Sequence, residues 1–170
     1  LSLGKKSFES LDENIKESLF EEYKNIQNLN KELSQLADED AKSFNNFMDA
    51  MRLPKDTEEE KALRGQKLQE AITYAMETPL TTAEKCFSIL KNQKNIALYG
   101  NKNAVSDVGV GSLLAMAGLE GALLNVNINL PSIKDEEIKK EAIKKSKALV
   151  KDARKLHQEI MEIVNDRIEN

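Results

Sequence analysis

Few side chains in this chain are equipped for chemistry, and their types restrict what that chemistry can be. There is one histidine, His157, and one cysteine, Cys86, among 170 residues. A single histidine makes a histidine-ligated zinc centre improbable on composition alone. Arg154 stands where a Glu-x-x-His di-iron motif would need its acid. His157 neighbours the apolar stripe of its segment and reads as structural or exposed. Cys86 reads as a small core hydrophobe, since nothing near it in sequence would form a Cys–His pair. What remains is carboxylate, lysine, amide and hydroxyl chemistry: proton transfer and hydrogen bonding.

Those groups collect at two connections. The first, Met51-Arg52-Leu53-Pro54-Lys55-Asp56-Thr57, is a rigid proline turn that presents Lys55 just before a helix start. Taken alone, it is more simply read as an ordinary solvated lysine. The second runs from Tyr99 to Val110, where Gly100-Asn101-Lys102-Asn103-Ala104-Val105-Ser106-Asp107 leads from a polar loop into an apolar segment. Ser106 or Asn103 can cap the helix that follows, and Asp107 suits the positive end of its dipole. Yet Asp107 is the only acid between Glu84 and Glu120, in a helix otherwise headed for the core. A carboxylate at such a mouth is a candidate acid or base.

The elements that must hold these groups are helical. Aromatic residues make up 5%, with no Trp, 7 Gly and 3 Pro, which argues against a sandwich or barrel and for long helices. One cysteine removes disulfides and fits a reduced, cytoplasmic compartment. Lys and Arg number 25 against 29 Asp and Glu, so the surface as a whole is not built for nucleic acid or an anionic membrane. The start, Leu1-Ser2-Leu3-Gly4-Lys5-Lys6, is neither a signal peptide nor an initiator Met and reads as the start of a fragment.

Apolar residues at three- and four-residue steps predict a first helix from Phe8 to about Met51, ended by Leu53-Pro54. Thr57 with Glu60 forms a capping box for a second helix that reaches about Glu77. Thr78-Pro79 restarts or kinks the chain, and a third helix runs from Leu80 to Tyr99, closed by Gly100. A fourth, from Ala104 to Leu130, spans about 40 Å. Three asparagines and four glycines speak against a membrane span, so it is expected to be a central, glycine-rich helix buried on nearly all sides. Asp107, Gly111, Leu114, Gly118, Ala122, Asn125 and Asn129 share one of its faces, open to close approach by another backbone or a flat ligand. After Pro131, Ser132 with Asp135 resembles another cap, and a last helix runs from Asp135 to about Ile168. The expected fold is all-α: a single domain over residues 1–170, an antiparallel bundle of four to five long helices.

Five short motifs then fall in register. They are Leu53-Pro54-Lys55-x-Thr57 with Glu59-Glu60-Lys61, Pro79-Leu80, Gly100-Asn101, Ser106-Asp107, and Asn125-Val126-x-Ile128-Asn129-Leu130. In order and spacing the chain resembles the cyclodeaminase/cyclohydrolase family, which comprises the cyclodeaminase domain of formiminotransferase-cyclodeaminase and the stand-alone methenyltetrahydrofolate cyclohydrolases. The resemblance covers Leu3 to about Ile163. Members carry a further N-terminal helix with a Pro-Gly-Gly-Gly-Ser turn, followed by a segment like Gly4-Lys5-Lys6; this sequence begins after that helix.

The resemblance implies folate one-carbon chemistry on a tetrahydrofolate derivative, without metal or redox cofactor. In the cyclodeaminase reaction, N10 attacks the formimino carbon on N5 and ammonia leaves, giving the methenyl bridge. In the cyclohydrolase reaction, water opens that bridge to the 10-formyl product. Both pass through a tetrahedral carbon between nitrogens, and each proton transfer is worth typically about 10²–10⁴-fold. Asp107 is then the expected proton shuttle and Lys55 its electrostatic partner or proton donor. Asn101, Ser106, Asn125 and Asn129 are the expected hydrogen-bonding partners of the pterin. Asp107 and Asn129 lie about 33 Å apart along one straight helix. Either the asparagines are structural, or the second subunit of a homodimer brings the groups together. Lys140, Lys144, Lys147 and Lys151 line one face of the last helix, an ordinary solvated surface or an attractor for a polyglutamate tail. The reading from a different class is a non-enzymatic helical interaction module, with the first and last helices as partner-binding faces.

Overall fold

The carboxylate of Asp12 decides where the first long helix starts. It accepts from the Asn14 amide at 2.9 Å, and α1 runs Glu13–Arg52 in the computed structural model, which describes residues 8–170. The expected start at Phe8 is therefore too early. Phe8 and Glu9 are helical too, but the chain breaks at Ser10–Asp12; Phe8 and Leu11 continue the apolar pattern because they pack on the same core from before the cap. The Gly4-Lys5-Lys6 segment lies outside the described residues.

The capping box forms as the sequence predicts, and α2 runs Glu58–Lys91. Thr57 Oγ1 accepts from the Glu60 amide at 3.2 Å, and the Glu60 carboxylate accepts from the Thr57 amide at 3.1 Å. Pro79 does not restart the chain; α2 continues through it. Proline has no N–H to give to the carbonyl four residues back. That carbonyl, Ala75 O, accepts instead from Asn129 Nδ2 at 3.1 Å. The break expected at Thr78-Pro79 comes at Asn92-Gln93, after which the short α3 spans Lys94–Tyr99. It ends as the backbone turns extended at Gly100, a position where a Cβ would strike the Ile96 carbonyl oxygen, so only glycine fits.

A 3₁₀ turn, Lys102–Ala104, leads into α4, Val105–Asn129. A second turn, Leu130–Ser132, and a cap by Asp135 lead into α5, Glu136–Glu169. Asp135 alone caps α5: its carboxylate accepts from the Glu137 and Ile138 amides at 2.9 and 3.2 Å, while Ser132 belongs to the turn. The described residues contain no strand.

Helix α4 packs against α2 and α5, and α1 packs on α2. Along α4 the neighbours from α2 and the break after it run backwards in step: Gln93 beside Gly111, Cys86 beside Gly118, Ala75 beside Asn129. The two helices are thus antiparallel. A Cβ on Gly118 would stand 3.1 Å from Cys86 Sγ, so part of the small-residue face does allow close approach by another helix. Burial pushes the Cys86 thiol pKa up, in keeping with its place in the core beside Met76, Leu90, Leu119, Val126, Ile160 and Val164.

Two further expectations need correction. The helix α4 is not buried on nearly all sides. Val110, Leu113, Leu114, Leu124 and Ile128 are 51–76% exposed and form an apolar strip facing away from α2 and α5. The segment Lys102–Ser132 is long and apolar enough to cross a membrane by length and composition, with 44% of its most apolar stretch buried in the fold. In addition, α2 overshoots α4. From Ala75 back to Glu58 it continues about 26 Å past the level of Asn129, with the end of α1 alongside and Lys55 at the tip. Arg64 ties this arm together by donating to Met51 O at 3.2 Å.

Candidate functional site

The start of α4 is built by the loop before it. Asn101 Oδ1 accepts from the Asn103 amide at 3.1 Å and so closes the 3₁₀ turn. The next helix begins at Ala104 with no side-chain cap, so neither Asn103 nor Ser106 performs the capping role that was open to it. Ser106 and Asp107 are both exposed in the first turn. The loop is held from behind by Arg167 near the end of α5, which donates to Ala97 O and Gly100 O at 2.5 and 2.7 Å. Asn101, Ser106 and Asp107 therefore share one end of the bundle, on a backbone fixed by α5.

One residue at this end escaped the sequence reading. Gln93 is 7% exposed and its amide lies against Gly111, one helical turn beyond Asp107; a Cβ on Gly111 would stand 2.7 Å from Gln93 Nε2. The Gln93 Oε1 atom is buried and accepts no hydrogen bond. A buried acceptor left bare costs about 1–3 kcal/mol, which marks the position for attention. Its signal was hidden because residues 80–99 read as one uninterrupted helix, where a glutamine passes for surface.

The other expected site residues stand elsewhere. Asn125 and Asn129 lie about 27 and 33 Å from Asp107 along α4. Asn129 donates to both Ala75 O and Asn125 O, which gives it the structural role left open above. Asn129→Ala should therefore lower stability by about 1 kcal/mol, the usual net worth of a hydrogen bond, here to a half-buried carbonyl, and leave turnover intact. Thermal melts and a steady-state assay of the same preparation check both halves.

Lys55 is farther still. It sits at the tip of the α1–α2 arm, roughly 60 Å along the bundle axis from Asp107. Within one chain it cannot be the partner of Asp107, because α2 and α4 run antiparallel and each residue lies at the far end of its own helix. His157 takes a structural place: its Nδ1 and the fully buried Ser112 Oγ are 2.8 Å apart and hydrogen-bonded, which joins α4 to α5. Among the described residues no three His, Cys, Asp or Glu side chains cluster as metal ligands would.

Comparison with known proteins bears on the family and the fold. The family model for formiminotransferase-cyclodeaminase matches residues 1–148. A methenyltetrahydrofolate cyclohydrolase of Methylorubrum extorquens is 33% identical over 99% of this chain and 79% of its own length. A formimidoyltransferase-cyclodeaminase of Gallus gallus is 34% identical over 91% of the chain, which spans only 28% of that protein. Among solved structures, a formiminotetrahydrofolate cyclodeaminase of Thermotoga maritima superposes with a TM-score of 0.67 at 23% identity, covering 78% of this chain and 62% of that one, so the all-helical fold is shared. The motifs, the fold and the extent of the match lead to one assignment: the chain belongs to the formiminotransferase-cyclodeaminase family.

Proposed function

We propose that this chain is a folate one-carbon enzyme of the cytoplasm that works on the N5/N10 carbon unit of tetrahydrofolate. It releases ammonia as a cyclodeaminase or adds water as a cyclohydrolase, without metal or redox cofactor. The observation that carries this reading is Asp107: an isolated, exposed carboxylate in the first turn of α4, within a Ser106-Asp107 motif of a chain belonging to this family. Asp107 takes the proton from the attacking nitrogen or water and returns one to the departing nitrogen. Asn101, Ser106 and Gln93 supply hydrogen bonds at the same end.

The experiment is direct. Methenyltetrahydrofolate absorbs in the near ultraviolet, so the protein is incubated separately with 5-formiminotetrahydrofolate and with 5,10-methenyltetrahydrofolate. Growth of the band with the first identifies a cyclodeaminase, and decay with the second a cyclohydrolase. No change with either would overturn the enzyme reading and leave a non-enzymatic helical module.

The substrate can carry a polyglutamate tail, and the chain works as a homodimer. Supporting the first point, Lys147, Lys151 and Arg154 rim a groove of about 600 Å³ between α4 and α5, with Leu123, Ile143 and Val150 inside it. Arg154 is shared with Glu120 at 2.8 Å, which leaves the lysines as the freer cations. Reversing Lys144 and Lys147 to Glu should raise the KM for polyglutamylated substrate several-fold and barely move that for the monoglutamate. The effect should shrink as salt is added, because exposed charges are screened beyond about 8–10 Å at physiological ionic strength. Equal KM changes for both substrates would make the stripe ordinary surface.

A further inference from the structure

We infer that Gln93 is the residue that reads the pterin ring of the substrate, its carboxamide reaching the face of Asp107 through the gap that glycine leaves at position 111. This rests on the folate reading, with Asp107 as the acid–base group, and it assigns recognition of the ring at that same site. Gln93 is 7% exposed, yet its Oε1 is buried without a hydrogen-bond donor. Its Nε2 lies 2.7 Å from where a Cβ on Gly111 would stand, so the amide fills a side-chain position that α4 itself leaves empty. Asp107 precedes Gly111 by one helical turn, and Cβ positions so related are about 5–6 Å apart. The buried carboxamide and the exposed carboxylate are therefore neighbours on one face of α4.

Packing alone does not ask for an amide here. Two turns further along α4, the equivalent gap at Gly118 is filled by Cys86 Sγ, a small apolar group. An amide in the same setting carries a cost, because a buried acceptor without a donor destabilises the free chain. Such costs are kept where a ligand removes them. The ligand chemistry follows from the group. A carboxamide presents an acceptor and a donor side by side. The pyrimidine half of a pterin presents N3–H beside the C4 carbonyl, which is the complementary pair. Gln93 Oε1 accepts from N3–H, and Nε2 donates to O4. The terminal torsion of glutamine is broad and soft, so the amide can turn to meet a ring edge presented at the gap. The C4 carbonyl is next to N5 in the ring system, and anchoring that edge keeps the one-carbon unit close to Asp107.

The test uses opposite signs for stability and binding. Gln93→Met keeps the length and helix propensity of the side chain and removes the bare acceptor. It should raise Tm by roughly 2–4 °C. Its KM, for whichever of 5-formiminotetrahydrofolate and 5,10-methenyltetrahydrofolate the parent turns over, should rise about tenfold with kcat little changed, the pattern of lost uniform binding. Gly111→Ala reaches the same group from the other side. Its Cβ displaces only the free end of Gln93, and alanine favours the helix over glycine. This variant should melt no lower than the parent and show a similar rise in KM. The double variant should be no worse than the more affected single one, because both changes act through one carboxamide.

A lower Tm in Gln93→Met would make the side chain an ordinary packing element and overturn the assignment. A KM within about twofold of the parent would do the same, as would KM effects that multiply in the double variant. In each of these cases an active parent leaves the folate reading standing. A parent that changes neither folate would overturn the folate reading and this assignment with it.

Discussion

Asp107→Asn slows folate turnover by about 10²–10⁴-fold, the usual worth of a positioned general acid or base, and leaves the melting curve nearly unchanged. The two effects separate because the side chain is exposed in the first turn of α4 and carries little of the packing. Asparagine keeps its size and its capacity for hydrogen bonds. It loses the ability to take a proton and return it. It also loses a charge that favours the helix start, a surface term of about 0.3–1 kcal/mol, too small to unfold the chain. Steady-state kinetics and a thermal melt on one preparation decide the point. If kcat and KM both stay near the parent values, Asp107 is only a helix-start charge and the acid–base group lies elsewhere.

Leu119→Ala is the corresponding test of the scaffold. Leu119 is completely buried on α4, in the core cluster that also holds Met76, Leu90, Ile160 and Val164. Shortening it removes buried methyl groups and leaves a cavity that helices fixed on both sides cannot close, at a cost of about 2–5 kcal/mol. For a chain of this size that corresponds to a fall in Tm of roughly 5–20 °C. Turnover per folded molecule, measured well below the melt, should change far less than in Asp107→Asn. A Tm within about 1 °C of the parent would mean that the core relaxes into the gap, against ordinary core behaviour.

What could be read from the sequence was what neighbouring residues decide among themselves. Thr57 and Glu60 are three residues apart, and their capping box formed as expected. Gly100 closes its helix at a position where any Cβ would meet the carbonyl of Ile96, four residues back. Pro79 was misjudged because the group that makes it tolerable, Asn129, is 50 positions along the chain. The burial of α4 was misjudged for a related reason. An apolar segment announces that it will be covered, but not by what, and Leu114 and Ile128 remain outside both α2 and α5. Asp107, Asn101 and Ser106 fall at one end because they are close in sequence. The distance between Lys55 and Asp107 could not be read at all, since it depends on how far α2 overshoots α4. Gln93 became visible only when the helix around it broke.

The bond from Asn129 to the carbonyl that Pro79 leaves without a donor has a consequence for how such a chain can diverge. While the proline is present, losing the asparagine strands Ala75 O. If the proline first becomes alanine, the helix supplies its own N–H and the asparagine is released from that duty. The order of replacement therefore matters: proline then asparagine is a passable route, and asparagine then proline crosses a less stable intermediate. Positions 79 and 129 should thus be inherited as a pair, with descendants that lack the proline free to carry almost any residue at 129.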